Sequence, residues 1–217
     1  MGDDATPIEL TAPEFSFGQL VWSDYLASMV EREESAERLA LLFLPRMLLN
    51  PSLQLALTIR ICQCGPRALW NLMRWIQIVF FSSEFHRFAP EDNTELGPGL
   101  SFPHPANIFI SGGVKIGSGV TIYNNVTIGS NRHVPRDVAT PVTVRIGDRA
   151  VVYGYCSLQG PYDIGNDAVV GMHVLLDSDV PPGALRTYKG LRRAEEWKGE
   201  GRNHYRPGVE PRVLGHR

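Results

Sequence analysis

An aliphatic residue returns at every sixth position over the second half of this chain, and few folds tolerate that period. The first series runs Ile110, Ile116, Ile122, Ile128, then in the same phase Ile146, Val152, Leu158, Ile164, Val170 and Leu176. A second series lies four residues further along: Ile108, Val114, Val120 and Val126, then Val144, Ala150, Cys156, Tyr162, Ala168, Val174 and Val180. Amphipathic helices repeat at three and four residues and strands at two, so neither accounts for a period of six. A six-residue repeat is the signature of a parallel β-helix, in which three short sides make one coil of about eighteen residues. One residue per side is expected to point inward. Glycine and asparagine beside it supply the positive backbone angles that turn each corner. Gly117, Gly119, Asn124, Asn125, Gly147, Gly165 and Asn166 stand where such corners fall.

The 217 residues suit one domain with a small appendage, and 43% hydrophobic residues suffice for a substantial core. A net charge of −2 carries none of the basic excess of a nucleic-acid binder. Cys62 and Cys64 fall in an expected helix and Cys156 on an inward coil position. That placement argues against a disulfide framework or a zinc site and points to a reducing compartment, read as cytoplasmic. Met1-Gly2-Asp3-Asp4 is acidic and has no apolar stretch, so no secretory leader is expected.

The organisation reads as residues 1–95, a polar N-terminal segment followed by α-helices and a connector; 96–184, the coil; and 185–217, a tail rich in arginine, glycine and proline. The pattern is helical from Leu20 to Phe81, punctuated by Pro45, Pro51 and Gly65-Pro66. Leu69–Phe81 is very apolar, short for a bilayer span and interrupted by Arg74. Packing in an oligomer is the first reading of that helix and contact with a membrane surface the second. Residues 129–143 break the apolar pattern and read as a loop thrown outward, a common place for binding groups.

His104 stands six residues before Ile110, in the phase otherwise held by aliphatic side chains. A structural histidine is one reading. A proton-transfer role is the other, because imidazole is the usual side chain for moving protons near neutral pH.

The run LGPGLSFPHPANIFISGGVKIGSGVTIYNNVTIG, residues 96–129, resembles the opening of the coil in serine acetyltransferases and related saccharide O-acetyltransferases of the hexapeptide-repeat group. The likeness continues through VRIGDRAVVYG and DIGNDAVVGMHVLL to the closing phrase DSDVPPGAL. The resemblance implies a mainly β fold: a left-handed parallel β-helix preceded by a small α-helical domain, with an irregular C-terminal tail. It implies acetyl-CoA as co-substrate, a small hydroxyl acceptor, no metal, and a trimer or a dimer of trimers. It also implies His104 as general base, with Glu84 the nearest carboxylate to orient it. Asn131, Arg132 and His133 then serve as acceptor ligands, and Gly154, Tyr155, Gly171, Lys189 and Arg192 line the CoA path.

The chain departs from that pattern in two places. Pro103 precedes His104 where serine acetyltransferases carry aspartate, and Tyr153 and Tyr155 stand where they carry small residues. Two other readings remain open on the same fold. One is a trimeric scaffold that no longer binds CoA. The other is a metalloenzyme like the γ-class carbonic anhydrases, which needs three histidines from adjacent coils.

Overall fold

The computed structural model describes residues 15–29, 35–85, 94–129 and 143–193. Within them the six-residue series becomes the inner wall of a three-sided parallel β-helix. The first face stacks β1 (Glu84–Phe85), β3 (Ile108–Ile110), β6 (Val126–Gly129) and β9 (Ser157–Gln159). The second face stacks β2 (Glu95–Leu96), β4 (Lys115–Ile116), β7 (Arg145–Ile146) and β10 (Asp163–Ile164). The third stacks β5 (Thr121–Ile122), β8 (Val151–Val152), β11 (Val169–Val170) and β12 (Ala184–Thr187), and β13 (Gly190–Arg193) adds to it antiparallel.

Register follows the repeat. Ile110 lies beside Ile128 and then Leu158, Ile116 beside Ile146 and Ile164, Ile122 beside Val152 and Val170. Both series are buried, apart from the half-buried Tyr162: Ile108 and Ile110 are 2% and 1% exposed. Two residues per side therefore face inward, not one, because positions two apart on a strand share a face.

The interruption at 129–143 is an insertion within one coil. Ile110 pairs with Ile128, 18 positions on, whereas Ile128 pairs with Leu158, 30 positions on. The extra length leaves between β6 and β7 and returns without altering the register of either face. Residues 130–142 themselves lie outside the described residues.

Both ends of the coil extend past their sequence boundaries. Within the expected connector β1 already occupies one face, with Phe85 beside Ile110 in the interior, and β2 straddles the expected boundary on a second. At the far end, Pro181-Pro182-Gly183 turns a corner, with Gly183 at φ 64°, and does not stop the coil. Ala184 and Leu185 are buried, and the third face runs on to Arg193. The rest of the tail, 194–217, lies outside the described residues.

Four α-helices precede the coil among the described residues: α1 (Phe17–Ala27), α2 (Ala36–Leu49), α3 (Pro51–Cys64) and α4 (Trp70–Phe81). The starts of α1, α2 and α3 carry side-chain caps, which satisfy amide groups that have no partner within the helix. Ser16 and Gln19 form a capping box on α1, Ser35 caps α2, and Asn50 caps α3 with Pro51 in the first turn.

A buried ion pair fastens the helices to the first coil. Arg60, fully buried on α3, donates to both Asp24 carboxylate oxygens at 2.8 Å. The same guanidinium donates to the Leu96 and Gly97 carbonyls at 2.9 and 2.6 Å, and the Leu100 amide donates to Asp24 at 2.8 Å. Every charge in the cluster is thus met, the condition under which a buried pair is tolerated. Gln77 on α4 accepts from the Phe85 amide at 2.9 Å, binding that helix to β1. Among the described residues no single helix is long and apolar enough to cross a membrane. The pair 37–49 and 51–64 reaches that length together, but with an 87° bend.

Candidate active site

The site forms along the edge where the third face turns into the first. Asn107, Asn125, Tyr155 and His173 occupy this edge in successive coils, all at φ between 55° and 63°. The first corner of the edge is the longest. Ser101 bridges Thr121, so Phe102, 1% exposed, takes the inward place beside Ile122. From Phe102 to Ile110 the chain has two residues more than from Ile122 to Ile128, and Pro103-His104-Pro105 bulges outward. His104 is therefore not in an aliphatic register position. It is exposed on the rim, because the longer corner carries it out of the wall.

An aromatic column continues from it. His104 lies 5.8 Å from Tyr123, tilted by 54°, and Tyr123 stacks on Tyr153 at 5.0 Å and 20°. Tyr123 follows Ile122 as Tyr153 follows Val152, so the pair shares one place in adjacent coils. Burial raises the Tyr153 phenol above its usual pKa, so it stays protonated at neutral pH. Tyr123 went unnamed in the sequence reading, although its phase relative to Tyr153 was the signal that exposes it.

Further along the edge, Tyr155 is 52% exposed and stacks on His173 at 5.1 Å. The His173 amide donates to the Gly154 carbonyl, and a side chain at Gly154 would meet the Asn124 carbonyl at 3.0 Å. A β-carbon on Gly171 would lie 3.2 Å from the Arg186 carbonyl. Gly154, Tyr155 and Gly171 thus sit together in neighbouring coils. Lys189 and Arg192 belong to the hairpin of the last coil, where Lys189 lies 5.4 Å from the Tyr188 ring. Two coil rises of about 4.8 Å separate the His104 corner from that of Tyr155, so the edge spans roughly 10 Å between them. The backbone of Glu84 pairs with Phe109 on the first face, and its side chain is outside the described residues. Asn131, Arg132 and His133 also lie outside them.

On the opposite side of His104 an apolar groove of about 740 Å³ opens among α2, α3 and α4. Leu57, Ile61, Met73, Ile76 and Phe80 form much of its wall, and His104, Pro105 and Ala106 close one end. The end of α4 fixes that junction. The Asn107 amide donates to the Phe81 carbonyl at 3.1 Å, and the Ile108 amide donates to Ser83 Oγ at 3.0 Å. An exposed imidazole therefore stands between an edge lined first by tyrosine rings on one side and an apolar cleft on the other. That arrangement suits proton transfer between two reactants arriving from different directions.

No family model matches the chain. It is 26% identical over 148 residues to a serine acetyltransferase of Mycobacterium tuberculosis, covering 63% of each protein. It is 30% identical over 118 residues to one from Helicobacter pylori, covering 54% of this chain and 61% of that one. The chain thus spans about three-fifths of the length of the curated relatives it matches. Soybean serine acetyltransferase superposes with a TM-score of 0.60 at 22% identity, over 82% of this chain and 68% of that one. The enzyme of Neisseria gonorrhoeae gives 0.57 at 21% identity, over 78% and 61%. In sequence this chain is similar to serine acetyltransferases, and it shares their fold, a parallel β-helix preceded by α-helices.

Proposed function

We propose that this chain is a CoA-dependent O-acetyltransferase with His104 as general base. The observation that carries the reading is the exposed imidazole at the meeting point of coil edge and groove. The similarity to serine acetyltransferases supports the reaction class and, with it, acetyl-CoA as donor. His104 takes the proton of an acceptor hydroxyl, and the oxygen attacks the thioester carbonyl. The C–S bond breaks, and the departing thiolate receives the proton from the imidazolium. A thioester is already activated, so no covalent enzyme intermediate is needed and positioning contributes much of the acceleration. In this reading CoA lies along Gly154, Tyr155 and Gly171 toward Lys189 and Arg192. Glu84 orients His104, and the 129–143 segment brings Asn131, Arg132 and His133 to the acceptor. The left-handed winding, a trimer or dimer of trimers with the site between protomers, and a cytoplasmic setting belong to the same proposal.

The test is release of the CoA thiol from acetyl-CoA with a panel of amino-acid, sugar and alcohol acceptors. His104→Ala is expected to lower kcat by about 10²–10⁴-fold. Turnover unchanged by that substitution removes His104 from the mechanism.

Tyr153 and Tyr155 favour a second reading, a scaffold that does not bind CoA, because two large rings occupy the edge the cofactor follows. Calorimetric titration with CoA separates the two: heat of binding supports the enzyme, and its absence together with no thermal shift supports the scaffold. A metalloenzyme would need His104 and His173 on one ion, but three coil rises of about 4.8 Å, roughly 14 Å, separate their corners.

A further inference from the structure

We infer that the acceptor is an apolar alcohol, a medium-chain or aryl alcohol, whose carbon body lies in the groove among α2, α3 and α4 while its hydroxyl meets His104. This inference rests on the acyl-transfer reading above and names its substrate class.

The groove supports this on three counts. Its volume of about 740 Å³ falls in the range of small-molecule sites. Its polar side chains among the described residues are Gln54, Thr58 and His104, and no charged side chain lines it there. Thr58 is already engaged, donating to the Leu55 carbonyl at 2.8 Å and accepting from Gln77 at 3.2 Å. Gln54 donates to the Leu48 carbonyl. A zwitterionic amino acid placed here would surrender the hydration of two charges to walls of leucine, isoleucine and phenylalanine, a large penalty without partners. A sugar would leave several hydroxyls unmet. A hydrocarbon body gains from the same walls.

The acetyl group of the donor is too short to fill a groove of this size, which leaves the groove to the acceptor. The edge assigned to CoA runs from His104 toward the later coils, whereas the groove extends from His104 toward the helices. Donor and acceptor then converge on the imidazole from opposite sides. The alcohol loses its proton to His104, its oxygen bonds to the acetyl carbon, the C–S bond breaks, and the thiolate takes the proton back. Ester and free CoA are the products.

The experiment measures thiol release by the full chain from acetyl-CoA with ethanol, 1-butanol, 1-hexanol, 2-phenylethanol, L-serine and glucose. Expected is a rise in kcat/KM of about fourfold per methylene from ethanol to 1-hexanol, the value of burying one such group. The value for 1-hexanol should also exceed that for L-serine. Leu48→Glu sets a charge at the mouth of the groove, at a position 66% exposed where folding does not depend on the side chain. It should flatten the chain-length series while the heat of CoA binding persists. A flat series in the parent chain, as when a second copy covers the groove, overturns the inference. So does preference for L-serine or glucose, or acceleration of L-serine transfer by hexanoyl-CoA, which would assign the groove to the acyl chain. All three leave acyl transfer standing. Absence of thiol release with every acceptor, together with no heat on CoA addition, overturns the acyl-transfer reading itself.

Discussion

The coil and the helices ahead of it bury their apolar residues by opposite means. In the coil, local sequence does the work: each aliphatic residue meets its equivalent in the next turn, and Val114, Val120, Val126, Val144 and Ala150 are all 0% exposed. The helices enclose only part of their apolar surface. Leu41, Leu44 and Leu48 lie along one side of α2 with 64% exposure or more, and Trp75, Val79 and Phe80 project from α4. Contiguous apolar surface of this kind marks a surface with work to do. The groove beside His104 lies between these two helices, so the incompletely covered region is also the one that reaches the imidazole. A repeat can close a core from short-range pattern alone. A site that accepts a ligand needs surface the chain leaves open.

The difference can be broken most directly at the joint between the two regions. Asp24→Ala leaves Arg60 buried without its carboxylate and is expected to destabilise by about 3–5 kcal/mol. Chemical denaturation should then show the helices and the coil unfolding in separate steps; a single transition would mean the coil's stability requires the helices. Within the coil, Ile146→Ala removes a side chain stacked between Ile116 and Ile164. Its expected cost is about 2–5 kcal/mol, read from the shift of the denaturation midpoint. Smallest is Leu44→Gln on α2: an exposed leucine should change stability by no more than about 0.5 kcal/mol. A larger loss, growing with protein concentration, would show that this side of α2 is covered by another copy.

The legibility of the sequence follows the same division. A period of six is local, so the coil, its eighteen-residue turn and the position of the inserted loop can be read without tertiary knowledge. The number of inward positions per side was underestimated, since the second series of Ile108, Val114 and Val120 is as buried as the first. The first strand was missed because Phe85 stands eleven residues before Leu96, whereas Leu96 and Phe102 keep the step of six and fall inside the expected coil. The exposure of His104 had the same origin: two residues added to one corner shift everything after Phe102 out of phase. The groove was invisible, because Leu57, Met73 and Phe80 converge only through the packing of separate helices. The Asp24–Arg60 pair spans 36 positions and has no periodic trace.

The antiparallel strand β13 has a consequence beyond the coil's last face. Parallel stacks of this kind present open backbone rungs at both ends, and such rungs recruit further chains. At one end α3 lies over the opening, with Leu55 and Ile59 packed into the same apolar cluster as Phe85 and Ile108. At the other, Gly190–Arg193 folds back upon Ala184–Thr187 in the orientation that an added rung cannot copy. Arg192 on this strand is exposed and repels a second molecule bearing the same charge. The ladder is thus stoppered at both extremities, which keeps a shape well suited to filament growth from becoming one.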